Sequence, residues 1–448
     1  MLAKLHDRLG DFWWYSLMLF CACRAADLLN AFVGLWLVPK YVDPSELGAV
    51  MPLTQFANFL AIPVAAFANT FRNELTRLSI GKEFGKLKTL MRGVFAATAV
   101  FLFLAIVAAR FLLPAFLERI RIVEGSLGLV IIAASFVGAV APIYSNALQA
   151  LKKFKAQSIL SIVGAPVRLI AMLIALPFRA ITGYFVGQAA VPVFTIASSV
   201  VALRKELAVK AEPYWSKETF KKFAALFVFF AGSGTAGNFM LLIEATVIRQ
   251  RLPELDSAGY YMATRFSEIA TYLYSAMVLA IFPFAAQLAK DSKKHTRLIL
   301  KSAGANIIFC IVVAAGFCFV ARPALSFLPH GEQYATYWWA IPWLIGITGL
   351  SSIYGFYITA EIAVNRFHFL KWAITLDLAY PLLLLLVTGH RYFTDLIPSC
   401  LSSFLDVHNI KSLNTMLCWM TVINGAKALF CIIEMSLSIQ RANDKCVN

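Results

Sequence analysis

The sequence predicts an all-α, polytopic membrane protein with about twelve spanning helices in two equivalent halves. Three observations predict it: an apolar composition, a series of long apolar stretches, and an internal repeat. Of the 448 residues, 60% are apolar and only 14% are charged, and the mean hydropathy is +0.74. Soluble domains carry about a quarter charged residues and rarely expose large apolar patches. The composition therefore excludes soluble enzymes, nucleic-acid-binding proteins and secreted disulfide scaffolds.

Twelve apolar stretches are each long enough to cross the hydrocarbon core, which requires about 20 residues. They lie at roughly 12–38, 46–69, 88–113, 126–150, 154–176, 181–203, 223–248, 259–289, 299–322, 335–361, 366–389 and 413–440. An even number of spans returns the chain to the side on which it began. Both termini are therefore predicted to lie on one side of the membrane.

The distribution of Lys and Arg predicts which side that is. If the N-terminus is cytoplasmic, about 26 of the 40 basic residues lie in inside segments and about 10 in outside loops. Because basic residues favour cytoplasmic loops, both termini are predicted to face the cytoplasm. The net charge of +16 is then mainly a signal of topology and does not require an anionic macromolecular partner.

The second half of the chain resembles the first. ELGAVMPL at 46–53 is similar to SAGYYMAT at 257–264, so that Gly48 corresponds to Gly259. Each segment follows a short loop with proline and acidic residues. Six predicted helices precede a basic link and six follow it, so the two halves share one topology about an axis along the membrane normal.

The repeat divides the chain into three predicted parts. The N-terminal lobe with six helices covers 1–206, the basic cytoplasmic linker covers 207–222, and the C-terminal lobe with six helices covers 223–448. Few residues remain for soluble domains, because the loops between the predicted helices are short.

The sequence carries no signal for a cofactor or a metal ion. Its eight cysteines form no C-x-x-C pair, and its six histidines are scattered at segment ends. The phosphate-binding motif G-x-x-x-x-G-K-[ST] does not occur. We therefore expect no cofactor, no resident metal and no enzymatic activity.

Charged residues in the middle of predicted helices are the strongest candidates for function. A charge inside the bilayer costs several kcal/mol, so such residues usually face the protein interior and take part in function. The cations are Arg24, Arg168, Arg265 and Lys427. The acids are Asp27, Glu268 and Asp377.

Two of these cations are followed by an acid three residues later, on the same helical face. The pairs are Arg24 with Asp27 and Arg265 with Glu268. Each is either an ion pair that fixes helix packing or an arginine that projects into a cavity between the halves, with the acid controlling it. The second interpretation is favoured because two apolar residues would fix the packing of helices without the cost of removing charges from water. An ion pair that served packing alone would therefore be an expensive solution.

The other two cations have no acid nearby on their own helices. Arg168 and Lys427 therefore require a partner from elsewhere, either an acid on another helix such as Asp377 or an anion of a ligand. Phosphate is a suitable anion, since arginine binds it with two parallel hydrogen bonds.

Polar residues without charge extend the list of candidates for a hydrophilic path. Gln55, Asn58 and Asn69 follow one another along the second predicted helix, and Asn238 lies at the repeat position that matches Asp27. We expect these four side chains to line the cavity.

Two stretches resemble a known superfamily. They are LVPKYVDPSELGAVMPLTQFANFLAIPVAAF at 37–67 and NALQALKKFKAQSILSIVGAPVRLI at 146–170. Together with the repeat and the short loops, they are similar to the MOP flippase superfamily, which comprises MATE drug antiporters, lipid II flippases and polysaccharide flippases of the O-antigen type. The similarity to the polysaccharide branch is the strongest.

The resemblance implies a MATE-like fold of two six-helix lobes that works by alternating access in the inner, cytoplasmic membrane. It implies transport of a prenyl-diphosphate-linked oligosaccharide to the outer leaflet for surface polysaccharide or lipopolysaccharide synthesis, coupled to H⁺ or Na⁺. The four cations would bind the diphosphate, and the three acids would take up the coupling ion. Glycosyltransferases and a polysaccharide polymerase would be partners.

Two other functions compete with this one. A MATE-type antiporter of organic cations needs carboxylates in its cavity, and the excess of cations in the middle of the helices disfavours it. A membrane polymerase or ligase acting on the same lipid carrier would use a large outside loop such as 390–412, with His390 and His408.

Overall fold

The computed structural model describes six ranges of the chain, which are 27–122, 127–151, 153–288, 292–363, 370–389 and 412–447. All regular secondary structure in these ranges is helical, and no strand is present in them. The predicted all-α class is therefore confirmed. The chain divides into two compact units, Met1–Leu242 and Ile243–Asn448.

The first unit contains eight helices in its described residues. They are α1 (27–41, with a π turn at Val33–Leu37), α2 (Pro44–Leu47), α3 (Val50–Ile80), α4 (Phe84–Arg119), α5 (Leu127–Ala150), α6 (Phe154–Ala175), α7 (Ala180–Ala202) and α8 (Arg204–Leu207). Helix α2 starts at a proline, which suits the first helical position because its missing N–H has no partner there anyway.

Helix α9 (Lys217–Arg251) contains the point at which the chain passes from the first unit to the second. This point follows the predicted linker, 207–222. The second unit continues with α10 (Glu254–Gln287), α11 (Ser292–Ser326), α12 (Gly331–Tyr334), α13 (Ala340–Ala363), α14 (Leu370–Gly389) and α15 (Leu413–Val447).

Eight helical segments of the described chain are long and apolar enough to cross a membrane. In lipid, a helix satisfies all its backbone hydrogen bonds within the segment, which is why apolar runs of this length fold as helices. The protein is therefore a multi-pass integral membrane protein. The count of twelve spans and the cytoplasmic position of both termini stay predictions.

Each unit is built around one central helix. In the first unit, α5 packs along both α3 and α7, and α7 also packs along α6. In the second unit, α13 packs along α10, α11 and α15. Each unit thus has a central helix with packed neighbours, and the repeat stays a prediction.

The segment that connects α8 to α9 is bound to the start of α4. The Lys88 ammonium donates to the Val209 carbonyl at 2.9 Å, and the Thr89 hydroxyl donates to the Glu212 carbonyl at 2.6 Å. The Glu212 amide donates to the carbonyl of Gly85 at 3.2 Å. A Cβ atom at Gly85 would lie 2.6 Å from Cγ of Glu212, so only glycine allows this approach.

A second set of contacts fixes the same connection. Lys153 forms an ion pair with Glu206 at 2.8 Å and donates to the Ala202 carbonyl at 2.6 Å. Further along, the Trp215 ring packs edge-on against Phe223 at 5.5 Å. The connection within the basic linker expected from the sequence, residues 208–216, is thus bound to the first unit, and we call this segment the strap.

Candidate functional site

A pocket of about 430 Å³, lined by both polar and apolar side chains, lies in the first unit. Helices α1, α5, α6 and α7 each contribute to its wall. Its polar lining residues are Asp27, Asn30, Ser145, Gln157, Arg168, Gln188 and Thr195. A pocket of this size falls in the range that binds small molecules or the head group of a larger one.

Arg168 on α6 is held in this pocket by two amides from other helices. Its guanidinium donates to Oδ1 of Asn30 on α1 at 2.7 Å and to Oε1 of Gln188 on α7. Both acceptors are neutral, so these bonds orient the guanidinium without cancelling its charge. Asn30 and Gln188 were not among the predicted residues.

Asp27 lines the same pocket as Arg168. A predicted acid from α1 and a predicted cation from α6 therefore share one cavity. Arg24 lies outside the described residues, so its predicted pair with Asp27 stays a prediction. Asp27 and Asn30 are three residues apart on α1, the spacing that places two side chains on one face.

The second unit contains a buried ion pair between α15 and α14. The Lys427 ammonium lies 2.5 Å from Oδ1 of Asp377, with side-chain exposures of 4% and 16%. The Tyr354 hydroxyl donates to Oδ2 of the same carboxylate at 3.2 Å, and the ammonium lies 5.2 Å from the centre of the Tyr354 ring. Of the two partners considered for Lys427, the structure supplies the acid of another helix.

Glu244 on α9 is a buried carboxylate that was not among the residues predicted from the sequence. The Tyr260 hydroxyl donates to one of its oxygens at 2.9 Å, and the Tyr380 hydroxyl donates to the other at 3.0 Å. Tyr380 and Asp377 are three residues apart on α14, which brings the Glu244 group close to the ion pair.

These two groups form one cluster, which we call the carboxylate cluster and define as Glu244, Tyr260, Asp377, Tyr380 and Lys427. Within it, two carboxylates accompany one ammonium. A surplus negative charge is costly in an apolar interior, so the cluster has the composition to take up a proton or a monovalent cation.

Arg265 and Glu268 on α10 form the local pair that their spacing predicts. The guanidinium lies 2.7 Å from the carboxylate, with side-chain exposures of 23% and 40%. The guanidinium also lies 5.1 Å from the centre of the Tyr261 ring. The pair is on one helical face, and its partly exposed carboxylate is accessible to water or a ligand.

The predicted polar lining is only partly described. Asn58 is exposed and its amide lies 3.5 Å from Oε1 of Gln55, whereas the amide of Asn238 donates to the Gly234 carbonyl of its own helix at 2.9 Å. These three residues are not in the wall of the pocket that holds Arg168. The Asn69 side chain and the loop with His390 and His408 lie outside the described residues.

No model of a protein family matches the sequence, and no curated protein sequence matches it. The structure, in contrast, matches solved transporters over nearly its whole length. An inward-facing MATE-family multidrug resistance transporter of the MOP superfamily aligns with a TM-score of 0.64 at 11% identity, covering 94% of this chain and 96% of the other. The fold is that of MOP-superfamily transporters.

Two further solved structures show the same likeness. A point mutant of the MATE transporter VcmN from Vibrio cholerae aligns with a TM-score of 0.63 at 13% identity, covering 98% of each chain. A MOP superfamily transporter from Pyrococcus furiosus aligns with a TM-score of 0.61 at 12% identity, covering 96% of each chain. For that transporter, a reversed polarity of the binding pocket suggests a different function. The MATE-like fold predicted from the sequence is confirmed.

Proposed function

We propose that this protein is a transporter that moves a prenyl-diphosphate-linked oligosaccharide from the cytoplasmic to the outer leaflet by alternating access. The observation that carries this proposal is the Arg168 pocket, in which two amides hold the guanidinium and further polar side chains line the wall. Guanidinium binds phosphate oxygens with two parallel hydrogen bonds. Amide and hydroxyl groups both donate and accept, as sugar hydroxyls do, so Gln157 and Ser145 suit the oligosaccharide.

The other cations extend this anion-binding function. Arg24, Arg265 and Lys427 contact the diphosphate at other stages of transport, after their own carboxylates release them. The prenyl chain stays in the surrounding lipid. The protein works without a cofactor, and its membrane partners are the glycosyltransferases and the polymerase of the surface polysaccharide.

The carboxylate cluster supplies the coupling to an ion gradient. Protonation of Asp377, or binding of Na⁺ to its carboxylate, weakens its ion pair with Lys427 and frees the ammonium. Glu244 is the second carboxylate that can take the ion. Asp27 and Glu268 act in the same way on their own arginines. A ligand shifts a conformational equilibrium only if it binds one conformation better than the other. Uptake of an ion at such a pair has this effect if the pair is formed in one conformation and broken in the other.

Transport of organic cations in the manner of a MATE antiporter is the second candidate. It is favoured by Asp27, which lines the same pocket as Arg168 and offers a carboxylate to a cationic cargo. The pocket thus contains the group that each function requires. The two candidates differ in which of these groups binds the cargo.

A chromosomal deletion tests the proposal. We expect prenyl-diphosphate-linked oligosaccharide to accumulate on the cytoplasmic side, and wild-type protein to restore transport. Arg168→Ala should restore less than a tenth of it, whereas Arg179→Ala, which removes an exposed arginine outside the pocket, should restore it fully. Membrane levels of each variant are measured by quantitative immunoblotting.

Three outcomes distinguish the candidates. Accumulation that Arg168→Ala fails to cure supports the flippase and assigns the guanidinium to its mechanism. Full cure by Arg168→Ala removes the pocket from the mechanism. Sensitivity to cationic dyes without accumulation, corrected by wild type but not by Asp27→Asn, replaces the flippase with the antiporter.

A further inference from the structure

An apolar groove of about 600 Å³ lies between α4 and α5 of the first unit. Its walls include the side chains of Ile106, Leu113, Leu129 and Ile132. Arg110 is the one charged residue among those that line it. The groove is separate from the Arg168 pocket, with which it shares no lining residue.

Two residues of the sequence shape this groove. Pro114 lies inside α4 and has no N–H for the carbonyl of Arg110, so that carbonyl loses its usual partner in the helix. Gly128 at the start of α5 has no side chain, and Leu113 occupies the space that its Cβ would fill. The two helices therefore approach closely at one point and leave an open apolar channel beside it.

The depth of Arg110 in the bilayer follows from the geometry of α4. Arg92 is the last charged residue before the apolar run, and Arg110 lies about 27 Å further along the helix at 1.5 Å per residue. The hydrocarbon core is about 30 Å thick. If Arg92 lies at one surface of the core, the guanidinium of Arg110 reaches the opposite layer of lipid phosphates.

The position of Arg110 calls for an anion. The side chain is exposed, and no described residue forms a hydrogen bond or an ion pair with it. Its neighbours Phe111 and Leu112 are 76% and 60% exposed, as expected for a surface that faces lipid. A cation at this depth is stabilised by a phosphate group, and an apolar channel beside it is filled by a hydrocarbon chain.

We propose that this groove is a binding site for an anionic phospholipid of the membrane. Its phosphate binds the guanidinium of Arg110, and one acyl chain lies in the groove along Ile106 and Leu129. The site is distinct from the cargo pocket and does not depend on the proposed function. Charge complementarity selects an anionic over a zwitterionic lipid, because the latter carries a cation that repels Arg110.

Native mass spectrometry of the purified full-length protein tests the proposal, with equal amounts of phosphatidylglycerol and phosphatidylcholine. One basic residue near the bilayer surface is worth about 1 kcal/mol toward an anionic lipid, which is about fivefold in binding. We expect a preference of about fivefold for phosphatidylglycerol in wild type, a preference close to one in Arg110→Leu, and a retained preference in Arg110→Lys.

Two matched variants complete the design. Arg322→Leu removes an exposed arginine near the end of α11 and should keep the fivefold preference. Leu129→Trp fills the groove without changing charge and should lower retention of both lipids severalfold. All variants are checked for a monodisperse elution profile.

Several results would overturn the proposal. Equal retention of both lipids by wild type makes the groove a nonspecific contact with bulk lipid. Loss of the preference in Arg322→Leu as well as in Arg110→Leu makes it a property of the surface charge. Displacement of phosphatidylglycerol by an equal amount of undecaprenyl phosphate assigns the groove to the prenyl chain of the cargo.

Discussion

The buried ion pair in the second unit allows a quantitative prediction for Lys427→Met. The side chains of Lys427 and Asp377 are 4% and 16% exposed, and their charged atoms are 2.5 Å apart. Methionine has a similar length but no charge, so the variant leaves the carboxylate with the Tyr354 hydroxyl as its described donor. Removing one partner of a buried pair costs about 3–5 kcal/mol of the free energy of unfolding.

Reversible unfolding in mixed detergent micelles, followed by far-ultraviolet circular dichroism, measures these losses. Asp377→Leu should also destabilise, and the double variant should recover at least half of the summed losses, because it leaves no buried charge. Lys301→Met removes an exposed lysine of α11 and should change the free energy by less than about 0.5 kcal/mol. Additive losses in the double variant, or a loss below about 1 kcal/mol in Lys427→Met, would refute the reasoning.

Three further predictions concern other contacts. Glu244→Gln keeps an acceptor for one tyrosine but cannot take up a proton, so transport measured in proteoliposomes should lose its dependence on a pH gradient; an unchanged dependence removes Glu244 from coupling. Gly85→Leu places side-chain atoms where Glu212 lies, so limited proteolysis should cut the strap at least tenfold faster, and an unchanged rate would contradict the described contacts. Burial alone would raise the pKa of Glu206. The hydrogen bond with Lys153 and the positive charge of that lysine lower the pKa by more than burial raises it, so the net shift is downward. The Glu206–Lys153 ion pair therefore stabilises the strap fully above the ordinary glutamate pKa, and this stabilisation is lost as the pH falls through the lowered pKa. Limited proteolysis at pH 7 and pH 3 measures the loss, with Lys153→Met, which lacks the ion pair, as the reference.

The fold could be predicted from the sequence because hydrophobic length and charge distribution act locally. An apolar run in lipid has few alternatives to a helix. The pair of Arg265 and Glu268 was equally predictable, since residues three apart on a helix share a face. For Lys427, the sequence allowed two kinds of partner, an acid on another helix such as Asp377 or an anion of a ligand, and the structure pairs it with Asp377.

The contacts that were missed all join residues from different helices. Tyr380 is 136 residues from Glu244, and Asn30 is 138 residues from Arg168. No periodicity links such positions, because the rotation and depth of each helix follow from packing with its neighbours. The strap was missed for a related reason, since the glycine that admits it, Gly85, lies on a helix far from the linker in sequence.

The two amides that hold Arg168 give the sharpest distinction between the two proposed functions. A carboxylate in their place would bind the guanidinium more strongly and would compete with a phosphate of the cargo. An amide orients the guanidinium without adding a negative charge that competes with an anion. Gln188→Glu adds this competing carboxylate with almost no change in shape, at a side chain that already accepts from Arg168.

The variant should therefore act in opposite directions under the two functions. For an anionic cargo, Gln188→Glu should lower transport at least tenfold while the free energy of unfolding stays equal or rises, because a charge-assisted bond replaces a neutral one. For a cationic cargo, the added carboxylate should leave transport intact or increase it, as measured by uptake of a cationic dye into proteoliposomes. Gln188→Leu, which removes the acceptor without adding charge, controls for loss of orientation. If both variants impair oligosaccharide transport equally, the amide of Gln188 serves only to orient Arg168. Competition between carboxylate and phosphate for the guanidinium would then not explain the loss.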